Sequence, residues 1–152
     1  MLEKIQALVD AVSEKLGWLG PLLPRVLVGL AFILSGWGKL HNLEGFTGFF
    51  TELGIPAPGL MAPFVAGTEF VGGILLVVGL GTRVAAAALA CTMLVAMLTA
   101  VWPKLESKTE IFSALEIAYL SIFVWLALAG AGPVSVDHIL RKSSGRPSAN
   151  RV

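Results

Sequence analysis

Four long apolar stretches dominate the chain, over residues 18–40, 60–81, 84–102 and 111–130. Each is close to the ~20 residues a helix needs to cross the hydrocarbon core of a bilayer. Ahead of them, Leu2, Ile5, Leu8, Val9, Val12 and Leu16 recur at helical spacing, while Glu3, Lys4, Asp10, Glu14 and Lys15 take the other face. That pattern predicts an amphipathic helix over 2–16 lying on a membrane surface. It lacks the basic region, apolar core and small-residue cleavage site of a signal peptide.

The connections carry their own signals. Residues 41–59 form the longest, and within it Phe46, Phe49, Phe50 and Leu53 fall on one side of a short interfacial helix predicted over 44–53. Gly54-Ile-Pro-Ala-Pro-Gly59 then breaks it. Only Gly81-Thr-Arg83 separates the second and third apolar stretches, which makes them antiparallel neighbours. The small-residue pairs Ala62 and Ala66, Thr68 and Gly72, and Ala86 and Ala90 are expected at their contact, where lipid gives helices no hydrophobic reason to associate. Gly130-Ala-Gly-Pro133 ends the last stretch, and Ser135 or Asp137 is the expected N-cap of a short helix over 137–142. The predicted fold is an all-α integral membrane protein. An amphipathic helix over 1–17 precedes a four-transmembrane-helix bundle over 18–140, and a polar tail over 141–152 is expected to be disordered.

Composition agrees with this reading. The 152 residues are 56% hydrophobic and 14% charged, with mean hydropathy +0.83, where soluble domains are about 45–50% apolar and about 25% charged. A net charge of +1 argues against a nucleic-acid partner, which needs a basic face. With four spans the termini share a side. That side collects Lys4, Lys15, Arg25, Arg83, Arg141, Lys142, Arg146 and Arg151, against Lys39, Lys104 and Lys108 opposite. The positive-inside rule then puts both termini and Arg83 in the cytoplasm. Arg25 and Lys39, near the two ends of the first span, are long enough to snorkel toward headgroups.

The candidate chemistry lies in the outer half of the membrane. Glu69 falls roughly 13 Å below the outer end of the second span and Glu116 roughly 8 Å below that of the fourth, at the helical rise per residue. A carboxylate at such depth costs on the order of 2.5–3.5 kcal/mol on insertion scales, so it is paired, protonated or turned to a polar cavity. Lys39 and His41 lie at the same level, and Ser113, Glu116 and Tyr119 form a stripe three residues apart. These residues predict a polar pocket in which Glu69 and Glu116 act on protons and Lys39, His41, Ser113 and Tyr119 bind a ligand. The competing reading is structural, with the acids locking the bundle. His41, Glu69 and Glu116 could bind a divalent metal by ligand type, yet nothing in their spacing specifies one. Cys91, the single cysteine, excludes a disulfide framework or Cys-rich cluster within the chain and reads as a small buried hydrophobe.

Four blocks in order resemble the DoxX-like family of bacterial membrane proteins over about residues 22–138. They are Arg25, Gly29, Phe32, Gly36 and Lys39; then Gly54-Ile-Pro56 with Pro58; then Glu69-Phe-Val-Gly-Gly73 and Gly79-Leu-Gly-Thr-Arg83; and last Gly130-Ala-Gly-Pro133-Val-Ser135-Val-Asp137. The resemblance implies a four-helix fold in the bacterial cytoplasmic (inner) membrane and an association with redox work. Some relatives serve as membrane subunits of a thiosulfate:quinone oxidoreductase, and others are linked to oxidative stress. Two positions depart from many relatives: Trp102-Pro103 replaces a histidine, and Glu116-Ile117 replaces a Lys-Asn pair. The leading expectation is therefore a quinone- or small-molecule-binding subunit of a redox system, acting with partner proteins and in contact with the lipid bilayer. The alternatives are a non-enzymatic scaffold or assembly subunit, and a small transporter component that works as a homo-oligomer.

Overall fold

The computed structural model describes residues 1–105, 111–112 and 114–143, apart from the side chain of Leu8. Among the described residues seven α-helices follow one another: α1 (Leu2–Leu16), α2 (Leu19–His41), α3 (Leu43–Glu52), α4 (Pro58–Val78), α5 (Thr82–Ala96), α6 (Leu115–Ala129) and α7 (Val136–Ser143). No strand occurs among the described residues. The helical axis of α5 continues through a π turn, Met97–Val101, and a 3-10 turn, Trp102–Lys104. Three elements, Leu19–His41, Pro58–Val78 and Thr82–Lys104, are long and apolar enough to cross a membrane. The fourth apolar helix, α6, has 15 residues, about 22 Å at the helical rise. It begins later than the sequence pattern predicts because Ala114 is extended (φ −73°, ψ 131°) and provides no side-chain cap. The expected tail beyond residue 143 and the expected site residue Ser113 lie outside the described residues.

The interior is small and the exterior is as oily as the interior. Val28, Phe32, Leu76, Leu89, Phe123 and Leu126 are centred in one buried cluster. Leu27, Leu34, Phe64, Val84 and Leu128 are each at least 64% exposed. A surface so rich in large apolar side chains is costly in water and appropriate to lipid. The stripe Ile5, Val9, Val12 and Leu16 on α1 is likewise uncovered by the rest of the chain.

The tightest helix seam is between α2 and α4; α4 and α5 also pack, as the short turn between them predicts, but Ala66, expected at the α4–α5 contact, lies against Gly36 of α2. A Cβ at Gly36 would stand 2.8 Å from the Phe70 Cα and 2.9 Å from the Ala66 carbonyl oxygen. A Cβ at Gly73 would stand 2.7 Å from the Gly29 carbonyl oxygen. Glycines seven residues apart on α2 thus meet small residues seven apart on α4, and the two backbones touch. A Cβ at Gly72 would instead stand 3.1 Å from the Leu89 Cγ of α5.

One end of the bundle is closed by a polar knot. Arg25 is 2% exposed, so it does not snorkel as expected. Its guanidinium donates to the carbonyls of Ala131 and Val134, which are left free where the chain turns back after α6. Gly79 makes room for it, since a Cβ there would lie 2.6 Å from Arg25 Nη1. Ser135 caps α7 as predicted, accepting from the His138 amide at 3.1 Å. Asp137 reaches across to cap α5 instead, accepting from the amides of Gly81 (2.8 Å) and Thr82 (3.0 Å).

These contacts predict graded losses. Gly36→Leu forces the α2–α4 seam apart and lowers Tm in mild detergent by several degrees, in line with overpacking costs of about 1–3 kcal/mol. Gly38→Ala, on the same helix but in open space, leaves Tm unchanged or raises it, because Gly within a helix costs roughly 0.5–1 kcal/mol relative to Ala. Arg25→Met strands two carbonyls at about 1–3 kcal/mol each. Asp137→Ala removes the α5 cap for about 1 kcal/mol. Thermal denaturation followed by tryptophan fluorescence separates the four.

Candidate functional site

The site begins with one face of α2. Phe32, Ser35 and Lys39 stand above one another at helical spacing, and they flank the glycines that bring α4 close. Across the seam Glu69 is 2% exposed. Lys39 Nζ donates to both of its oxygens, at 2.6 Å each, and Ser35 Oγ donates to Oε2 at 3.1 Å. The carboxylate is thus held by three donor contacts from a single helix. Lys39 itself is 29% exposed, and its ammonium also lies 5.0 Å from the centre of the Phe46 ring, within cation–π range.

Lys39 and Glu69 open onto a cavity of about 700 Å³ that receives side chains from α2, α3, α4, α5 and α6. This volume is in the range of small-molecule pockets. Phe46, Phe49, Phe50 and Leu53 of α3 cover one side, as the periodicity of the loop helix predicts. Asn42 starts that helix, its side chain accepting from the Gly45 amide. On α5 the π turn brings both Thr99 and Ala100 to the wall. One extra residue per turn rotates neighbours onto a shared face, a distortion common at functional sites.

Glu116 and Tyr119 of α6 complete the lining. The Tyr119 ring meets Phe32 edge-on at 5.2 Å, and Phe32 meets Phe123 edge-on at 4.9 Å, so an aromatic column backs this wall. Glu116 is half-buried and has no ion-pair or hydrogen-bond partner among the described residues. The wall threonines are different. Thr68, Thr92 and Thr99 each donate to a carbonyl of their own helix at 2.8 Å, which leaves them only acceptor capacity. The groups able to donate to an occupant are therefore Lys39, Tyr119 and, when protonated, Glu116.

Lys39, Glu69, Glu116 and Tyr119 thus share one cavity, as the sequence predicts. His41 does not line it. Its Nδ1 lies 2.9 Å from the Trp37 carbonyl oxygen and its ring rests on the Trp37 indole at 4.1 Å, exposed on the far side of the helix end. Three further features escaped the sequence reading: Ser35 as second partner of Glu69, the π turn, and Cys91, which is exposed at the cavity wall rather than buried. Ser35 could have been found from its (i, i+4) relation to Lys39. The π turn has only a weak signal, Pro103. Among the described residues no three of His, Cys, Asp and Glu gather to hold a metal ion.

Comparison with known proteins follows this geometry closely. The DoxX family pattern matches residues 20–102, a block that contains Arg25, the α2–α4 glycines, Lys39 and Glu69. The chain is 31% identical over 134 residues to the Bacillus subtilis (strain 168) protein named "Putative oxidoreductase CatD", covering 87% of this chain and 93% of that one. It is 33% identical over 132 residues to "Inner membrane protein YqjF" of Escherichia coli (strain K12), covering 85% and 98%. No solved structure matches. A family match over more than half of the sequence, with relatives aligned along nearly their full length, shows that this chain belongs to the DoxX family.

Proposed function

We propose that this protein binds a quinone-type molecule, with a flat polar head and an apolar body, as the membrane subunit of an electron-transfer system. The observation that carries the reading is the single chamber of about 700 Å³ that joins apolar walls to Lys39, Glu69, Glu116 and Tyr119. The donor set fits such a ligand. Phe32, Phe46 and Phe50 line the chamber, and the polar groups stand on three helices, α2, α4 and α6. A bound quinone would supply two-electron, two-proton redox chemistry. Glu69 would hold the Lys39 ammonium in place through two of its N–H groups, leaving the third for a carbonyl oxygen. Glu116 and the Tyr119 hydroxyl would hold and move protons on the opposite wall, as intramembrane acids commonly do. With one cysteine and no nucleotide-binding fingerprint in the sequence, the electrons would come from a partner protein. The name of the Bacillus relative supports redox work without identifying a substrate.

In the same reading the protein lies in the bacterial inner membrane with α6 as a fourth span. The basic residues at the Arg25 and Arg83 end support a cytoplasmic position for that end, which would put the chamber in the outer half of the bilayer.

A second reading has its own observation. The two 2.6 Å contacts between Lys39 and Glu69 are direct, as expected of a clamp that holds a scaffold subunit together. One set of variants separates the two. In native lipid nanodiscs, extractable quinone co-purifies with the chain. Glu116→Gln weakens quinone binding or slows its reduction by about ten- to a hundredfold at unchanged Tm, since a charged hydrogen bond contributes roughly 1.5–3 kcal/mol. Lys39→Met reduces both Tm and binding. If no quinone is retained and none added is reduced or oxidised, while Glu69→Gln and Lys39→Met lower Tm alone, the clamp reading stands.

A further inference from the structure

The polar knot at the Arg25 end has a second, open side. There Arg83, Gly130, Ser135, His138, Arg141 and Lys142 line a hollow of about 250 Å³. Arg83 reaches it from the start of α5, and its Nε would lie 3.2 Å from a Cβ at Gly130. Gly130 adopts φ +87°, a conformation that L side chains rarely adopt, so the guanidinium rests on bare backbone. His138, Arg141 and Lys142 come from α7. Among the described residues, no carboxylate pairs with Arg83, Arg141 or Lys142.

The carboxylate in the hollow does not neutralise them. Asp137 is already engaged by the two α5 amides, and the buried Arg25 guanidinium stands within its electrostatic reach. Those two opposite charges offset each other. Three cations remain in excess around a cavity large enough for a phosphate group.

Asp137 also borders a different space. A groove of about 760 Å³ runs between α4 and α5, walled by Pro63, Gly67, Val71, Leu75, Val84 and Ala88. Asp137 closes its end, so the apolar groove terminates where the basic hollow begins. From residue 63 to residue 75 the groove follows α4 for about 18 Å, longer than half of a hydrocarbon core about 30 Å thick. Beside this junction, α7 exposes Ile139 (65%) next to its basic residues, as an interfacial helix does.

We propose that this junction is a binding site for an anionic phospholipid, its phosphate among Arg83, Arg141 and Lys142 and one acyl chain in the α4–α5 groove. Cations that merely set topology need neither a hollow nor a groove leading into it. Basic pockets between membrane helices recognise anionic headgroups by charge and by hydrogen bonding. The groove adds the apolar part of the ligand and so favours a lipid over a free phosphate.

The test uses the full chain in mild detergent, titrated with phosphatidylglycerol, with phosphatidylcholine of the same chains, and with inorganic phosphate. Native mass spectrometry reads bound lipid, and Tm reads protection. Phosphatidylglycerol is expected to be retained and to raise Tm, phosphatidylcholine to bind more weakly, and inorganic phosphate to protect little. The triple variant Arg83→Gln, Arg141→Gln, Lys142→Gln changes only exposed side chains. It should keep its lipid-free Tm and lose about a hundredfold in phosphatidylglycerol affinity. A Cβ at Gly67 meets no atom within 4 Å, so a side chain can leave the helix there into the groove; Gly67→Phe is chosen to fill that groove and should weaken phosphatidylglycerol with all charges intact. Equal binding of the two lipids, or wild-type phosphatidylglycerol binding by either variant, overturns the proposal. So does equal protection by inorganic phosphate, which would make the hollow a free-anion site.

Discussion

The bundle depends on how closely α2 and α4 approach. In lipid, two apolar helices gain little by exchanging acyl chains for each other, so their association rests on packing and hydrogen bonds. Gly29 and Gly36 on one helix, and Ala66 and Gly73 on the other, remove the atoms that would hold the backbones apart. The Lys39–Glu69 pair follows from that contact, because Ser35 and Lys39 flank Gly36 and meet Glu69 only when the seam is closed. A buried ion pair adds little net stability by itself. Here it fixes the register of a seam that small residues alone would leave free to slide.

The chamber is the other side of the same constraint. Once α2 and α4 touch, α5 and α6 pack together on one flank, and the four helices cannot all meet at the centre near Lys39. The space left is roofed by the phenylalanines of α3 and widened along α5 by the π turn. At the opposite end no such space remains, because Arg25 fills it and ties the chain after α6 to the start of α2. The molecule is therefore hollow at one end and knotted at the other.

What could be read in the sequence was whatever repeats with a period or violates a solvent rule. The apolar stretches pointed to the helices, the helical spacing of Phe46, Phe49, Phe50 and Leu53 pointed to the face that covers the chamber, and Glu69 and Glu116 stood out because carboxylates are rare in such segments. Arg25 was misjudged for the same reason that it was noticed. Its length allows snorkelling, and only the carbonyls of Ala131 and Val134, over a hundred residues away, hold it inside. Likewise the four-residue spacings pointed to α4 against α5, where Gly72 does meet Leu89, while the seven-residue spacing of Gly29 and Gly36 is the one that brings two backbones together. His41 shares a level with Lys39 but not a face, since two residues along a helix is more than half a turn. Asp137 capping a helix 55 residues earlier has no local signature at all.

One feature of the α4–α5 wall ties the two ends of the molecule together. Phe64, Thr68 and Ala88 border both the chamber and the lipid-side groove, so a partition three side chains wide separates two unlike spaces. Any change in rotamer there moves volume from one to the other. On the two proposals above, the occupants of the two sides would be thermodynamically linked, and the linkage would be reciprocal: whatever one did to the affinity for the other would be returned in equal measure. The composition of the surrounding bilayer would then become a variable of the proposed binding equilibrium inside the protein.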